Sequence, residues 1–262
     1  MKQLIEKLAR KNDSHKGENG KIAVIAGSRD YTGAPALSAK AALRTGSDLT
    51  KILTSEKISQ TVASYSENLI VRDYPEDYLS VKSLEKAKKV VEWSDVVVIG
   101  PGLGEPEPEV VEKIIEYTEK PKIIDADAIK PALETDLENC IFTPHEGEAE
   151  AIREKYGSLE NFSREKDVVV LLKGKTDRIY VKGEEKTSRT GDPTMTVGGT
   201  GDVLTGILAS LIGQGLENSE AAFLGAWING KAGEKAAERY GNGALATDIV
   251  EKIPQVMKNP DE

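Results

Sequence analysis

Short runs rich in β-branched residues recur along the chain, and each ends at a glycine, an aspartate or a turn. Seven runs follow this pattern: 22–26, 49–54, 69–71, 96–99, 123–125, 141–143 and 168–172. Helix-compatible stretches lie between most of them, at residues 35–44, 81–92, 107–119 and 146–156. Apolar strands that alternate with helices are buried on both faces of a parallel sheet. The chain is predicted to be an α/β protein, a three-layer α/β/α sandwich with a mostly parallel central sheet.

The pattern changes after residue 172. Residues 178–181 and 186–189 are predicted to form antiparallel strands joined by a turn at 182–184. Three helices follow, at 202–212, 219–240 and 247–253, and residues 1–10 suit a short amphipathic helix. Because we find no proline- or serine-rich linker, low-complexity tract or repeat, we expect a single domain over residues 1–262.

Charge and composition narrow the function classes. The chain has 35 Lys plus Arg and 44 Asp plus Glu, a net charge of −9, and 5% aromatic residues, which disfavours nucleic acid as a partner. One cysteine and two histidines argue against a disulfide framework and a histidine-rich metal cluster. The apolar runs are too short to span a bilayer, and the N-terminal stretch is unlike a signal peptide. We expect a cytoplasmic protein without a membrane partner.

The most informative segment is the glycine run Gly198, Gly199, Thr200 and Gly201, which stands directly before Asp202 and an apolar helix. Backbone N–H groups in such a run converge on an anion at the helix N-terminus. The run is therefore predicted to cradle a phosphate. Asp202 either caps the helix or acts as a general base, and the base role explains a carboxylate beside a phosphate site.

Two further glycine loops follow strands. Lys173, Gly174, Lys175 and Thr176 resemble a P-loop, but Val169 stands where a Walker A glycine is needed, so the loop is either a hairpin corner or a source of nucleotide contacts. Residues 100–104 resemble a dinucleotide fingerprint, yet Glu105 replaces its third glycine. That loop is either a tight turn or a close approach of backbone to ligand.

Other polar residues stand at the ends of predicted strands, where open α/β sheets bind ligands. Asp125 closes one strand, and His145 and Glu148 follow another. His145 is either a surface or capping histidine or a ligand contact. Asp125 and Glu148 either cap helices or hold Mg²⁺ through water.

Taken together, these loops resemble the ADP-dependent NAD(P)H-hydrate dehydratase family, a branch of the ribokinase-like fold. The matching motifs cover residues 15 to 248, nearly the whole chain, and are specific as an ordered set: 16–27, 31–34, 99–104, 125–128, 143–148, 172–174 and 198–206.

The resemblance implies an enzyme that repairs hydrated nicotinamide cofactors. Such an enzyme uses ADP to dehydrate (6S)-NADHX and (6S)-NADPHX to NADH and NADPH, with release of AMP and phosphate, and Mg²⁺ is expected. Carried over by position, the hydrate would contact Ala34, Gly102, Gly104, His145 and Asp202. The adenine nucleotide would contact Lys173, Gly174, Lys175, Thr176, Asp177 and Gly201. Asp202 is then the base toward the reacting hydroxyl, and Gly198 to Gly201 form the anion hole.

The chain departs from the family pattern at Glu146, where proline is common, and at residues 192–196, where Asn-Pro-Gly-Met-Ala is common. Neither change affects the inferred base or cradle. Many relatives carry an N-terminal epimerase domain that we do not expect here, so a separate NAD(P)HX epimerase is the expected functional partner. The resemblance also implies a homo-oligomer, with a tetramer favoured.

Two other functions fit the same residues. An ATP-dependent kinase of a small hydroxylated metabolite would use the same fold and the same base. A nucleotide-binding module without catalysis would keep the cradle, although the presence of Asp202 argues against it.

Overall fold

The computed structural model describes residues 1–260, and within them nine strands form one sheet. The strands are β1 (Lys21–Ile25), β2 (Leu49–Ser55), β3 (Ile70–Tyr74), β4 (Val96–Ile99), β5 (Lys122–Ile124), β6 (Cys140–Phe142), β7 (Val169–Leu172), β8 (Asp177–Val181) and β9 (Glu184–Ser188). The α-helices are α1 (Lys2–Glu6), α2 (Ala34–Thr45), α3 (Glu56–Ser64), α4 (Leu84–Trp93), α5 (Pro108–Glu116), α6 (Ile129–Ala132), α7 (Glu146–Tyr156), α8 (Leu159–Glu165), α9 (Thr200–Gly213), α10 (Asn218–Tyr240) and α11 (Ala246–Lys258).

The sheet has the order β3-β2-β1-β4-β5-β6-β7-β8-β9. Pairing is parallel from β3 to β7 and antiparallel from β7 through β8 to β9. The chain runs outward from β1 to β3 and then returns to place β4 on the other side of β1. This reversal leaves a crevice beyond the carboxyl ends of β1 and β4, where open α/β sheets bind ligands.

Two apolar layers enclose the sheet, because successive side chains of each strand point to opposite faces. In β1, Ile22 and Val24 belong to the apolar layer that includes α2, α9, α10 and α11, whereas Ala23 and Ile25 belong to the layer that includes α4, α5 and α7. All four side chains are fully buried. The three-layer α/β/α sandwich predicted from the sequence is confirmed.

Helices α2 and α9 approach each other closely. A Cβ at Gly206 of α9 would collide with the Ser38 carbonyl of α2 and lie 2.9 Å from the Ala41 Cβ. The Ser38 hydroxyl hydrogen-bonds the Thr205 hydroxyl at 3.0 Å and donates to the Asp202 carbonyl at 3.0 Å. The small residues of α2 therefore fix the position of the first turns of α9.

Most predicted elements are present, with shifted ends. The strand predicted at 69–71 continues to Tyr74, and the helix predicted from Asp202 begins at Thr200. Helices α3, α6 and α8 were not predicted, since they have nine, four and seven residues and their burial depends on packing against other elements. Among residues 1–260, no helix is long and apolar enough to cross a membrane.

Candidate active site

The loops after β1 and β4 meet at the crevice. The Gly27 N–H donates to the Pro101 carbonyl at 2.9 Å, which ties the two loops together. Gly102 has a φ of +61°, and a Cβ there would lie 3.0 Å from the Ala34 Cβ and 2.7 Å from the Tyr31 Cβ. Ala34 and Gly102, both predicted to contact substrate, therefore lie side by side at the carboxyl edge of the sheet.

Asp127 fixes the backbone of Gly104, the second glycine of the loop after β4 that is predicted to contact substrate. Its Oδ2 accepts the Gly104 N–H at 2.8 Å, although Asp127 follows a different strand, β5. Ala126, the residue before it, adopts a φ of 46°, which a non-glycine residue rarely adopts and which tends to be retained at functional sites. The sequence interpretation did not assign Asp127 a role. Its signal was the spacing of two aspartates, Asp125 and Asp127, directly after a buried strand.

Lys173, at the end of β7, joins three loops. Its Nζ lies 2.7 Å from Asp125 Oδ1 and 3.9 Å from Glu148 Oε2. The Thr143 hydroxyl donates to the same Asp125 oxygen at 2.7 Å, and the Asp125 side chain is only 2% exposed. The Lys173 backbone N–H donates to the Pro144 carbonyl at 2.8 Å. Lys173 thus connects the loops after β5, β6 and β7.

Neighbouring carboxylates stabilise the protonated form of Lys173. Burial by itself lowers the pKa of an ammonium, but Asp125, Glu148 and Asp202 outweigh burial, so the pKa of Lys173 is raised. The ammonium also fills the space between Asp125 and Glu148, the two carboxylates considered as magnesium ligands through water. These two residues therefore do not fit a metal held between them, and within residues 1–260 no cluster of three His, Cys, Asp or Glu could hold a metal.

Asp202 lies in the first turn of α9, at its third residue. The helix is preceded by Gly199 in the left-handed conformation, with a φ of +96°. In the described part of the chain, no N–H of this helix start donates to the Asp202 carboxylate. The capping interpretation of Asp202 is therefore not supported, and its carboxylate is left available for another task.

The surroundings of Asp202 bring its carboxyl group close to neutrality. Burial raises the pKa of Asp202 to about 7, and the nearby carboxylates of Asp125 and Asp127 act in the same direction. Lys173 opposes them but does not cancel the effect. A base with a pKa near neutral pH combines a useful fraction of the ionised form with proton affinity.

The glycine run stands beside these charged groups. Gly198 is exposed, and a Cβ there would meet nothing within 4 Å. A Cβ at Gly201, within the first turn of α9, would lie 3.2 Å from Lys173 Nζ. The start of α9 therefore offers open N–H groups next to an ammonium, an arrangement that suits a phosphate.

The loop between β7 and β8 is a hairpin corner, as one of the two interpretations of the sequence predicts. The Gly174 N–H donates to Asp177 Oδ1 at 3.0 Å, and burial raises the pKa of Asp177 to about 6. Lys175 is exposed, whereas Thr176 is half-buried. The corner adjoins Lys173, so a nucleotide role for residues 174–177 remains a prediction.

His145 caps α7. Its Nδ1 accepts the Gly147 N–H at 2.9 Å, and Glu148 Oε2 accepts the His145 N–H at 2.8 Å. The imidazole is 60% exposed, and its Nε2 lies 3.3 Å from Glu148 Oε1. His145 therefore acts as the N-cap of α7, as one interpretation of the sequence predicts. Its contact with substrate remains a prediction.

This site combines three features of nucleotide-using α/β enzymes. They are the parallel sheet of ribokinase-like type, the glycine run before α9, and the Asp202 carboxyl, whose pKa is near 7, beside the Lys173 ammonium. Comparison with solved structures finds the same fold in ribokinase-like proteins. A ribokinase-like superfamily protein of Enterococcus faecalis V583 has 27% identity and a TM-score of 0.86, covering 99% of this chain and 94% of that one. An ADP/ATP-dependent NAD(P)H-hydrate dehydratase of Bacillus subtilis, co-crystallised with ATP and Mg²⁺, has 25% identity and a TM-score of 0.82, covering 98% and 96%.

Sequence comparison identifies the family. The model of the NAD(P)H-hydrate dehydratase family matches residues 22–255. The ADP-dependent (S)-NAD(P)H-hydrate dehydratase of Haloterrigena turkmenica is 44% identical over 92% of this chain and 94% of its own length. The protein of the same name from Natrialba magadii is 42% identical over 98% of this chain and 100% of its own length. The chain belongs to the NAD(P)H-hydrate dehydratase family.

Proposed function

We propose that this chain is an ADP-dependent dehydratase that converts (6S)-NADHX and (6S)-NADPHX to NADH and NADPH, releasing AMP and phosphate. The observation that carries the proposal is the Asp202 carboxyl, whose pKa is about 7, placed in the first turn of α9 beside the Lys173 ammonium and the open glycine run. Relatives of that name at 44% and 42% identity support it.

In this proposal the hydroxyl oxygen of the hydrate attacks the β-phosphorus of ADP, and AMP leaves. Asp202 accepts the hydroxyl proton as the new P–O bond forms, so that no oxonium develops. N–H groups of Gly198 to Gly201, with Lys173, stabilise the negative charge of the phosphoryl oxygens during transfer. The C–O bond then breaks, phosphate departs, and loss of a ring proton restores the double bond of the dihydronicotinamide.

The same edge of the sheet provides the proposed substrate contacts. Ala34 and Gly102 lie in contact at the crevice, and Gly104 is held by Asp127. The positive φ of Gly102 and the close packing around it leave no room for a side chain, so backbone would face the hydrate there. His145, at the start of α7, is the proposed contact from the loop after β6.

Four finer properties belong to this proposal. ADP is expected to enter with Mg²⁺ on its own phosphates, as the Bacillus subtilis relative was co-crystallised with ATP and Mg²⁺. We expect a cytoplasmic homo-oligomer, with a tetramer favoured. We also expect cooperation with an epimerase, because relatives such as that of Methanothermobacter thermautotrophicus, of which this chain spans 52%, are named bifunctional NAD(P)H-hydrate repair enzymes.

The direct test is incubation of the purified chain with NADHX and ADP, followed by the return of reduced-nicotinamide absorbance. The proposal requires this absorbance, together with one AMP and one phosphate for each NADH formed. Replacing ADP with ATP identifies the preferred donor, and replacing NADHX with NADPHX gives the substrate preference.

Two outcomes would refute the proposal. A stable phosphorylated product without elimination would favour the ATP-dependent kinase of a small hydroxylated metabolite. Tight ADP binding without turnover of either hydrate would favour the nucleotide-binding module.

A further inference from the structure

A cavity of about 390 Å³ lies far from the candidate active site. It opens between the edge strand β3 and helix α4, at the end of the sheet opposite β9. Leu53 and Val90, both buried, form its floor, and Lys51, Arg72, Lys86 and Lys89 line its walls. We call it the edge groove. It shares no residue with the site around Asp202.

The edge groove carries more positive charge than its own residues balance. Lys86 is paired, since its Nζ lies 3.6 Å from Asp73 Oδ1, and Asp73 is the one carboxylate lining the groove. Within residues 1–260, neither Lys51, Arg72 nor Lys89 forms an ion pair. Three cations without a carboxylate thus converge on one cavity, in a chain whose net charge is −9.

Lys51 and Arg72 each have a partner other than a carboxylate. The Lys51 Nζ lies 3.9 Å from the centroid of the Trp93 ring, and Arg72 Nη1 donates to the Val71 carbonyl at 2.9 Å. Lys51 is half-buried, and burial together with the Arg72 guanidinium lowers its pKa. An anion between these groups would relieve both the lost hydration and the mutual repulsion.

We infer that the edge groove binds a phosphate group carried on a small organic molecule whose apolar part packs on Leu53 and Val90. A phosphate monoester carries a charge of about −1.5 to −2 near pH 7 and three acceptor oxygens, which matches three unpaired cations better than the single charge of a carboxylate. Arginine adds a planar fork that suits a phosphate. The cavity volume falls within the range of about 300–1,000 Å³ typical of small-molecule sites.

The chain provides its own reporter for this groove. It contains two tryptophans, and Trp93 contacts Lys51 in the groove wall. In a Trp227→Phe variant the fluorescence comes from Trp93 alone. At constant ionic strength, phenyl phosphate is expected to change this fluorescence with saturation. Inorganic phosphate is expected to bind more weakly because it lacks the apolar part, and benzoate more weakly because it has a single charge.

A matched pair of substitutions locates the binding. Arg72→Gln removes a charge-assisted hydrogen-bond donor and is expected to weaken phenyl phosphate binding about tenfold or more. Lys186→Gln, on the exposed strand β9, removes the same charge at the far end of the sheet and is expected to leave the affinity unchanged. Should Trp227→Phe fail to fold, the indole N–H resonance of Trp93 in the unsubstituted chain gives the same readout.

Three results would overturn the inference. One is a Trp93 signal that does not saturate with phenyl phosphate. Another is an equal affinity for phenyl phosphate in the Arg72→Gln variant and the unsubstituted chain. The third is equal affinity for inorganic and phenyl phosphate, which would show that the apolar part of the ligand contributes nothing to binding. None of these results depends on dehydratase activity.

Discussion

Asp202 and Lys173 illustrate how opposed charges are balanced in this site. Three carboxylates, Asp125, Asp127 and Asp202, act on one another in a partly buried region, and one ammonium partly compensates them. The ammonium pairs directly with Asp125 at 2.7 Å, so Asp125 receives most of its stabilisation. Asp202 forms no such direct pair among the described residues, and its burial, aided by the charge of Asp125, raises its pKa. Burial without a direct ion pair is the physical reason that Asp202 is suited to be the base.

The Asp202→Asn variant tests the base role. The amide keeps the size of the side chain but cannot accept the hydroxyl proton, so turnover is expected to fall by roughly 10²- to 10⁴-fold with little change in ADP affinity. The measurement is ADP-dependent NADHX dehydration together with ADP binding. Asp167→Asn, at a side chain that is 75% exposed, is the matched control and should keep full turnover. Near-normal turnover in the Asp202→Asn variant would exclude the base role.

The raised pKa of Asp202 also predicts a pH-dependent stability. The folded chain holds the Asp202 proton up to about pH 7, whereas the unfolded chain releases it near the ordinary value of 3.8. The free energy of unfolding from this group therefore falls as pH rises between these values. Asp202→Asn lacks this titration, so its Tm relative to the unsubstituted chain is expected to be higher at about pH 8 than at about pH 5. An equal Tm difference at the two pH values would contradict a raised pKa.

Glycines in the run before α9 are needed for two different reasons. Gly198 leaves open space for a phosphate, and Gly199 adopts a backbone conformation that other residues rarely adopt. Gly198→Val introduces a side chain into open space where a phosphate would lie, so ADP binding should weaken while the Tm is retained. Gly199→Val is different, because Gly199 has a φ of +96° and its Cβ would lie 2.6 Å from Leu37 Cδ1. That variant should lower the Tm as well. Calorimetric ADP titration and thermal unfolding of both variants provide the measurement, and unchanged ADP affinity in a folded Gly198→Val variant would refute the cradle.

Helices and strands were predictable to different degrees. Core strands such as β4 and β7 were evident because four consecutive apolar residues have few alternatives to a buried strand. Helix α9 was evident from its apolar length, but its start was placed at Asp202 instead of Thr200, because local sequence does not show that Gly199 adopts the left-handed conformation. Helix α8 was not predicted, since the burial of Phe162 depends on tertiary contacts with Phe142 of β6 and Tyr156 of α7.

The whole chain is expected to respond to nucleotide as one unit. ADP at about 100 times its Kd should stabilise the folded chain by about 2.7 kcal/mol, which corresponds to a Tm increase of roughly 5–10 °C for a domain of this length. Scanning calorimetry with and without ADP measures the increase, and Gly198→Val should reduce it. A single cooperative transition would support one domain over the chain, whereas two separate transitions would contradict it.

The amino-acid sequence by itself determined the layers of this protein, the edge of the sheet that faces ligand and the family, because hydrophobic patterning and loop motifs are local properties of the chain. Only the tertiary structure decided how charges pair across that edge. Lys173 meets Asp125 across 48 positions of sequence, and Asp127 meets Gly104 across 23. Such contacts depend on which strands are neighbours. For the same reason the edge groove, whose cations come from β2, β3 and α4, became visible only when these elements were packed together.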